Sequence, residues 1–185
     1  MENYMKSIIT TKYFGDIKFE GNIEFKCIDD DSGLHIPYVV TVQLNNQYIN
    51  INVSGWDYFG DKVKFCWEII DKYLEINKIA KKAIVKSIFE EKGEANAYFK
   101  RKIWQIEHNK KFEMILVEHY GVNDFENIDI KKIIEKMYYP HLFFKKIGDN
   151  ITHYLKYSIY GPLDSQYLNV YMNEKLDVIF IDEVW

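Results

Sequence analysis

The sequence predicts an α+β fold, with antiparallel β-strands at both ends of the chain packed with a central block of three to five helices. Three observations predict it. Between Asp61 and Ile106 apolar residues recur at the three-and-four spacing of a helix face. On either side of that block they alternate with polar residues at every second position, between turn dipeptides. No internal repeat, low-complexity tract or linker interrupts the chain, so residues 1–185 are expected to form a single domain.

Residues 13–28 read as a hairpin or two short strands around the turn dipeptide Gly21-Asn22, with Ile23, Phe25 and Cys27 alternating with Glu24 and Lys26. Asp29-Asp30-Asp31-Ser32-Gly33 is a polar loop. Its acids are adjacent, whereas a calcium loop needs spaced ligands and a distal glutamate. Pro37 opens a strand in which Tyr38, Val40, Val42 and Leu44 share a face. Asn45-Asn46 is the tight turn, since Asn tolerates positive φ. Ile49, Ile51 and Val53 then alternate on the return strand.

Three helices follow. The first aligns Val63, Cys66, Trp67, Ile70 and Leu74, with Phe65 and Ile69 widening the arc. The second, from about Ile76, aligns Ala80, Ala83, Ile84, Ser87 and Ile88, and Gly93 is the expected left-handed cap after it. The third aligns Ala95, Phe99, Ile103 and Ile106, with Lys100, Arg101 and Trp104 on its other side. Lys110–Tyr120 continues as a helix that Gly121 stops. Asp129 caps a short helix carrying Ile130, Ile133, Ile134 and Met137, which Pro140 closes. Strands are expected at Leu142–Ile147, around His153–Ile159, at Tyr167–Met172 and at Asp177–Asp182.

Net charge is −4, unevenly spread. Residues 1–40 hold four lysines against seven acids, and residues 164–185 hold five acids against Lys175 alone. Between Lys81 and Lys111 nine basic residues face four acids. Overall acidity argues against nucleic acid as a partner, which leans on a basic footprint. No apolar run reaches the ~18 residues of a membrane span. Met1–Lys12 lacks the apolar core of a secretory signal, and Cys27 and Cys66 read as buried free thiols, so a reducing cytoplasm is expected.

Motifs for chemistry are missing from the pattern. The histidines His35, His108, His119, His141 and His153 lack metal-ligand spacing. No serine sits in a nucleophile turn, and the glycines are too scattered to cradle phosphate. The expectation is therefore no catalytic residue, no cofactor and no metal, although catalytic groups can converge from distant positions. Surface candidates for partner binding are the acidic loop Asp29, Asp30 and Asp31; Lys100, Arg101 and Trp104 on the third helix; and the end of the chain at Asp182, Glu183 and Trp185. Trp104 either anchors a partner, as aromatics beside arginine do, or packs on the fourth helix. The tyrosines 154, 157, 160, 167 and 171 either contact a partner or cover a half-exposed sheet.

The order of segments carries a resemblance. Tyr13-Phe14-Gly15-Asp16, the Asn45-Asn46 hairpin, the helix around Val63-Lys64-Phe65, Lys81-Lys82-Ala83-Ile84 leading to Gly93-Glu94-Ala95, and the closing strand pair over 167–179 are similar to a family of uncharacterised bacterial cytoplasmic α+β domains found beside polymorphic toxin–immunity loci. The stretch from Glu107 to Asn127 departs from it. The resemblance implies a non-enzymatic binding protein that contacts a protein partner, a toxin, directly, as a monomer or homodimer. It supplies no catalytic residues. The alternative is a small ligand-binding domain or enzyme with a pocket between sheet and helices.

Overall fold

The computed structural model describes residues 7–12, 14–19, 38–53, 63–90, 93–106, 108–147, 150–161 and 164–184. Eight strands and five α-helices occupy them. β1 (Ser7–Thr11) and β2 (Gly15–Phe19) form a hairpin of their own, β3 (Tyr38–Leu44) and β4 (Gln47–Val53) a second, and α1 (Val63–Asp71), α2 (Tyr73–Phe89) and α3 (Glu94–Ile106) follow. Next come α4 (Lys110–Ile115), a π-helical turn over Leu116–Tyr120 and α5 (Ile130–Lys136). A meander of β5 (His141–Ile147), β6 (Asn150–Tyr157), β7 (Tyr167–Met172) and β8 (Val178–Val184) closes the described chain. The α+β expectation, strands at both ends around a helical middle, is what the molecule adopts.

The two β blocks do not stand apart. They fuse into one six-stranded sheet in the order β3-β4-β5-β6-β7-β8. All neighbours are antiparallel except β4 and β5, which run parallel with Ile51 beside Leu142. A parallel pair needs a crossover, and the whole helical block is that crossover. Strand alternation sends Ile49, Ile51, Leu142, Phe144, Leu155, Tyr157, Leu168 and Val170 to one face, where all are buried. Cys66, Ile70, Tyr73, Ile76, Ala80, Ile84, Ala95 and Phe99 of the helices meet them in one core. Each large apolar side chain buried there contributes about 1.5–3 kcal/mol before the entropy cost. Buried tyrosines lock the layers by donating their hydroxyls: Tyr157 to Asn77 Oδ1 at 2.7 Å, Tyr73 to the Pro140 carbonyl and Tyr120 to the Ile159 carbonyl, both at 2.6 Å.

Several boundaries differ from the expected ones. β2 pairs with β1 upstream, Ile17 opposite Ile9, and Thr11 Oγ1 accepts from the Phe14 amide. The proposed turn at Gly21-Asn22, Cys27 and the acidic loop Asp29–Asp31 lie outside the described residues, as does Trp185. The first two helices part at Lys72 rather than near Ile76, so that Tyr73 begins α2 and faces the core. Asn45 and Asn46 take φ of 48° and 63° in the β3–β4 turn. Gly121 takes φ 68° at the end of the π turn, and Asp129 caps α5 by accepting from the Lys131 and Lys132 amides. Gly93 is different. It is not left-handed; a Cβ there would run into the Ser87 carbonyl, so close approach of α3 to α2 is what requires glycine.

Candidate interface along the edge strand

β8 is the outermost strand of the large sheet, and among the described residues no strand pairs with its free side. Its sequence, Val178-Ile179-Phe180-Ile181-Asp182-Glu183-Val184, is apolar in its first half and acidic in its second. Tyr171 lies opposite Phe180 but Met172 opposite Val178, so Ile179 is an extra residue in a β-bulge. The bulge leaves Ile179 52% exposed, and Phe180 is 49% exposed.

Phe180 also ends a ladder of rings. Phe143, Tyr154, Tyr171 and Phe180 lie in register on β5 to β8, on the face of the sheet away from the buried Phe144, Leu155 and Val170. Their centroids are 4.9, 4.7 and 4.2 Å apart and successive planes differ by 6°, 30° and 17°. The inner rings are covered on both sides by neighbours, whereas Phe180 has its neighbouring ring on the β7 side. Cross-strand aromatic pairs each add roughly 0.2–1 kcal/mol, so the ladder stiffens the sheet up to its edge. In the next row Lys156, Asn169 and Asp182 are aligned. The Lys156 ammonium lies 3.6 Å from the Tyr167 ring centroid, and burial lowers its pKa. Asn169 is buried and its Oδ1 has no partner among the described residues.

On the helical side α3 runs alongside β8. Gly93 and Glu94 at its start line a groove of about 410 Å³ with Val178–Ile181, Ala83, Lys86 and Glu90. Two turns later Arg101 reaches Glu183, its Nε donating to Oε1 at 2.9 Å while the other guanidinium arm pairs with Oε2. This fork joins two of the sequence candidates that lie 82 residues apart. It also separates two that are adjacent. Asp182 and Glu183 point to opposite faces because strand side chains alternate; Glu183 is neutralised against α3, and Asp182 stands on the outer face beside the ladder. Trp104 does not pack on α4. It is 60% exposed and stacks on His108, with centroids 4.3 Å apart, one turn beyond Arg101. Lys100 is exposed on the same helix. Of the five C-terminal tyrosines, Tyr154, Tyr167 and Tyr171 lie half-buried on the outer face, while Tyr157 and Tyr160 are buried.

A second polar cluster lies beneath this surface. Lys102 and Asp164 form a buried ion pair. Asp164 also accepts from Ser158 Oγ at 3.0 Å and the Gln166 amide at 3.1 Å, and Tyr98 OH lies 3.4 Å from its Oδ2. Burial pulls the Lys102 pKa down while the Asp164 carboxylate opposes that pull. Tyr98 and Tyr160 flank the ammonium at 5.3 and 5.5 Å. The cluster fastens α3 to the β6–β7 connection and is closed to solvent. Lys102 sits in a basic run, Lys100-Arg101-Lys102, whose charge reads as a solvated face; the helical phase shared with Ala95, Tyr98 and Phe99 is the signal that marks it as buried.

Elsewhere, Val85, Ile88, Phe89, Ile130 and Ile134 line an apolar groove between α2 and α5. Among the described residues no three His, Cys, Asp or Glu side chains are grouped to hold a metal. No helix of the described residues is long and apolar enough to cross a membrane. The chain matches no protein-family model, no curated protein and no solved structure.

Proposed function

We propose that this chain is a non-enzymatic binding protein that acts through direct protein–protein contact, in the manner of an immunity protein neutralising a toxin. The observation that carries the reading is the edge of the sheet: Ile179 and Phe180 are half-exposed on an edge strand that other described strands leave open, and Trp104 is exposed on α3, the helix that the Arg101–Glu183 fork ties to that strand. Large exposed apolar and aromatic side chains grouped with an arginine are the composition of interface cores. Specific complexes bury about 1,200–2,000 Å² in total, an area that a β8–α3 strip and its flanks can supply. Asp182 on the outer face, with the exposed Glu174 and Asp177 just before β8, would steer a basic partner toward this strip. The resemblance of the segment order to domains beside toxin–immunity loci supplies the class of partner.

The test is capture of the tagged protein's partner from its native host, followed by co-expression of the chain with that partner. One stoichiometric basic protein, whose growth inhibition the chain relieves, is the expected result. The reading fails if no neighbouring gene product binds and no toxicity is suppressed. The second reading, a ligand pocket between sheet and helices, has the roughly 410 Å³ groove of α2, α3 and β8 in its favour. A thermal-shift screen against small ligands separates the two: a ligand that raises Tm in the absence of any protein partner would favour the pocket.

A further inference from the structure

We infer that the free edge of β8 receives a β-strand of the partner, extending the six-stranded sheet by one, and that this strand presents an apolar or aromatic residue to Phe180 and a basic residue to Asp182. The inference rests on the protein-binding reading and specifies how that contact is made.

The outer face of the sheet carries two rows that stop at β8. The aromatic row ends on the half-exposed Phe180. The row Lys156, Asn169, Asp182 ends on an acid. A seventh strand continues both rows at the ordinary strand spacing, and i, i+2 alternation sets the two required side chains on the same face of that strand. A strand edge presents unpaired backbone donors and acceptors, so main-chain hydrogen bonds supply affinity and the alternating side chains supply selection. The bulge at Ile179 confines regular pairing to Phe180–Val184 and turns Ile179 toward the groove that Ala83, Lys86 and Glu94 line.

Charge decides against a second copy of this chain as the occupant. Antiparallel self-pairing over the whole of Phe180–Val184 would set Asp182 of one copy opposite Asp182 of the other. Like charges directly opposite one another on neighbouring strands are destabilising. A strand with lysine or arginine flanking apolar residues meets the same edge with complementary charge.

Three capped synthetic heptapeptides test this on the full chain: Thr-Lys-Val-Tyr-Val-Lys-Thr, the same peptide N-methylated at the tyrosine and both valines so that each strand edge is blocked, and Thr-Glu-Val-Tyr-Val-Glu-Thr. Amide hydrogen exchange is followed residue by residue. The lysine peptide is expected to slow exchange at those amides of Phe180–Val184 that do not bond β7 and to leave β3, at the opposite edge, unchanged; the N-methylated and glutamate peptides should leave both strands unchanged. Asp182→Lys should weaken the lysine peptide about fivefold and strengthen the glutamate peptide by a similar factor, and Phe180→Asp should abolish both effects, with native far-UV circular dichroism showing that each variant folds. Equal binding of the N-methylated peptide would overturn strand addition. So would β8 amides on the side away from β7 that already exchange slowly without peptide, or that slow with rising protein concentration, because the edge would then be occupied by the chain itself or by a second copy. If a captured partner still binds Phe180→Asp and Asp182→Lys at full strength, the strand mode falls and the protein-binding reading stands. If the lysine peptide protects β8 but the host yields no partner, the immunity reading falls and the strand site stands.

Discussion

Acidification should weaken this fold through the buried imidazole of His153. His153 lies in the middle of β6, fully buried, with the Phe144 ring 6.3 Å away. Burial lowers its pKa from 6.5 to about 4, since the charged form is denied water. The unfolded chain takes up this proton near pH 6.5, the folded chain only near 4. The stability held in the neutral ring is therefore fully present above 6.5 and is lost as pH falls toward 4. At about 1.36 kcal/mol for each tenfold difference in proton affinity, going from about pH 7.5 to about pH 4.5 removes about 2–3 kcal/mol. The assay is urea unfolding of the parent and of His153→Leu at both pH values. Carboxylates and His141 titrate in both proteins, so the parent should lose about 2–3 kcal/mol more than the variant. Equal losses would refute the argument, because they would mean that the ring is as easily protonated in the folded state as in water.

Three further outcomes follow from the packing. Asp164→Ala removes the acceptor of Lys102, Ser158 and the Gln166 amide, and should cost about 3–5 kcal/mol in chemical denaturation, whereas the joint Lys102→Met/Asp164→Leu change should cost less than either single change. Ile70→Ala, at a fully buried site on α1, should lose about 2–5 kcal/mol; Trp104→Ala, on the exposed side of α3, should stay within about 0.5 kcal/mol of the parent in the same thermal melts. Gly93→Ala should cost about 1–3 kcal/mol by forcing α3 away from the Ser87 carbonyl; a variant that melts with the parent would show that the two helices have room to separate.

Periodicity made the secondary elements legible because each buries one face. Ile70 and Ala80 announce helix, Ile49 and Ile51 announce strand, and Asn45-Asn46 and Asp129 mark a turn and a cap by local hydrogen bonding alone. What joins the elements is not local. Nothing in Ile51 or Leu142 says that they are neighbours, since a parallel pair across a long crossover has no turn residue to advertise it. Lys102 and Asp164 are each ordinary surface residues by type; only the fold brings them together in the core. The candidate interface was half legible for the same reason. Arg101, Trp104, Asp182 and Glu183 stood out by composition, but Phe180 read as one more alternating strand residue. Its exposure comes from strand order and from a bulge, and neither is written in the spacing of apolar residues.

The parallel seam between β4 and β5 sets a schedule for the making of the protein. Ile51 leaves the ribosome roughly 90 residues before its neighbour Leu142, so at about 5–20 residues per second the β3–β4 hairpin waits for seconds without the sheet it belongs to. Hairpins of two strands are marginal alone. Helices α1 to α3 emerge in that interval and are the first surface against which Ile49 and Ile51 can shelter. Among the described strands β8 emerges last, so the open edge of the sheet is completed only after the strands behind it have been made.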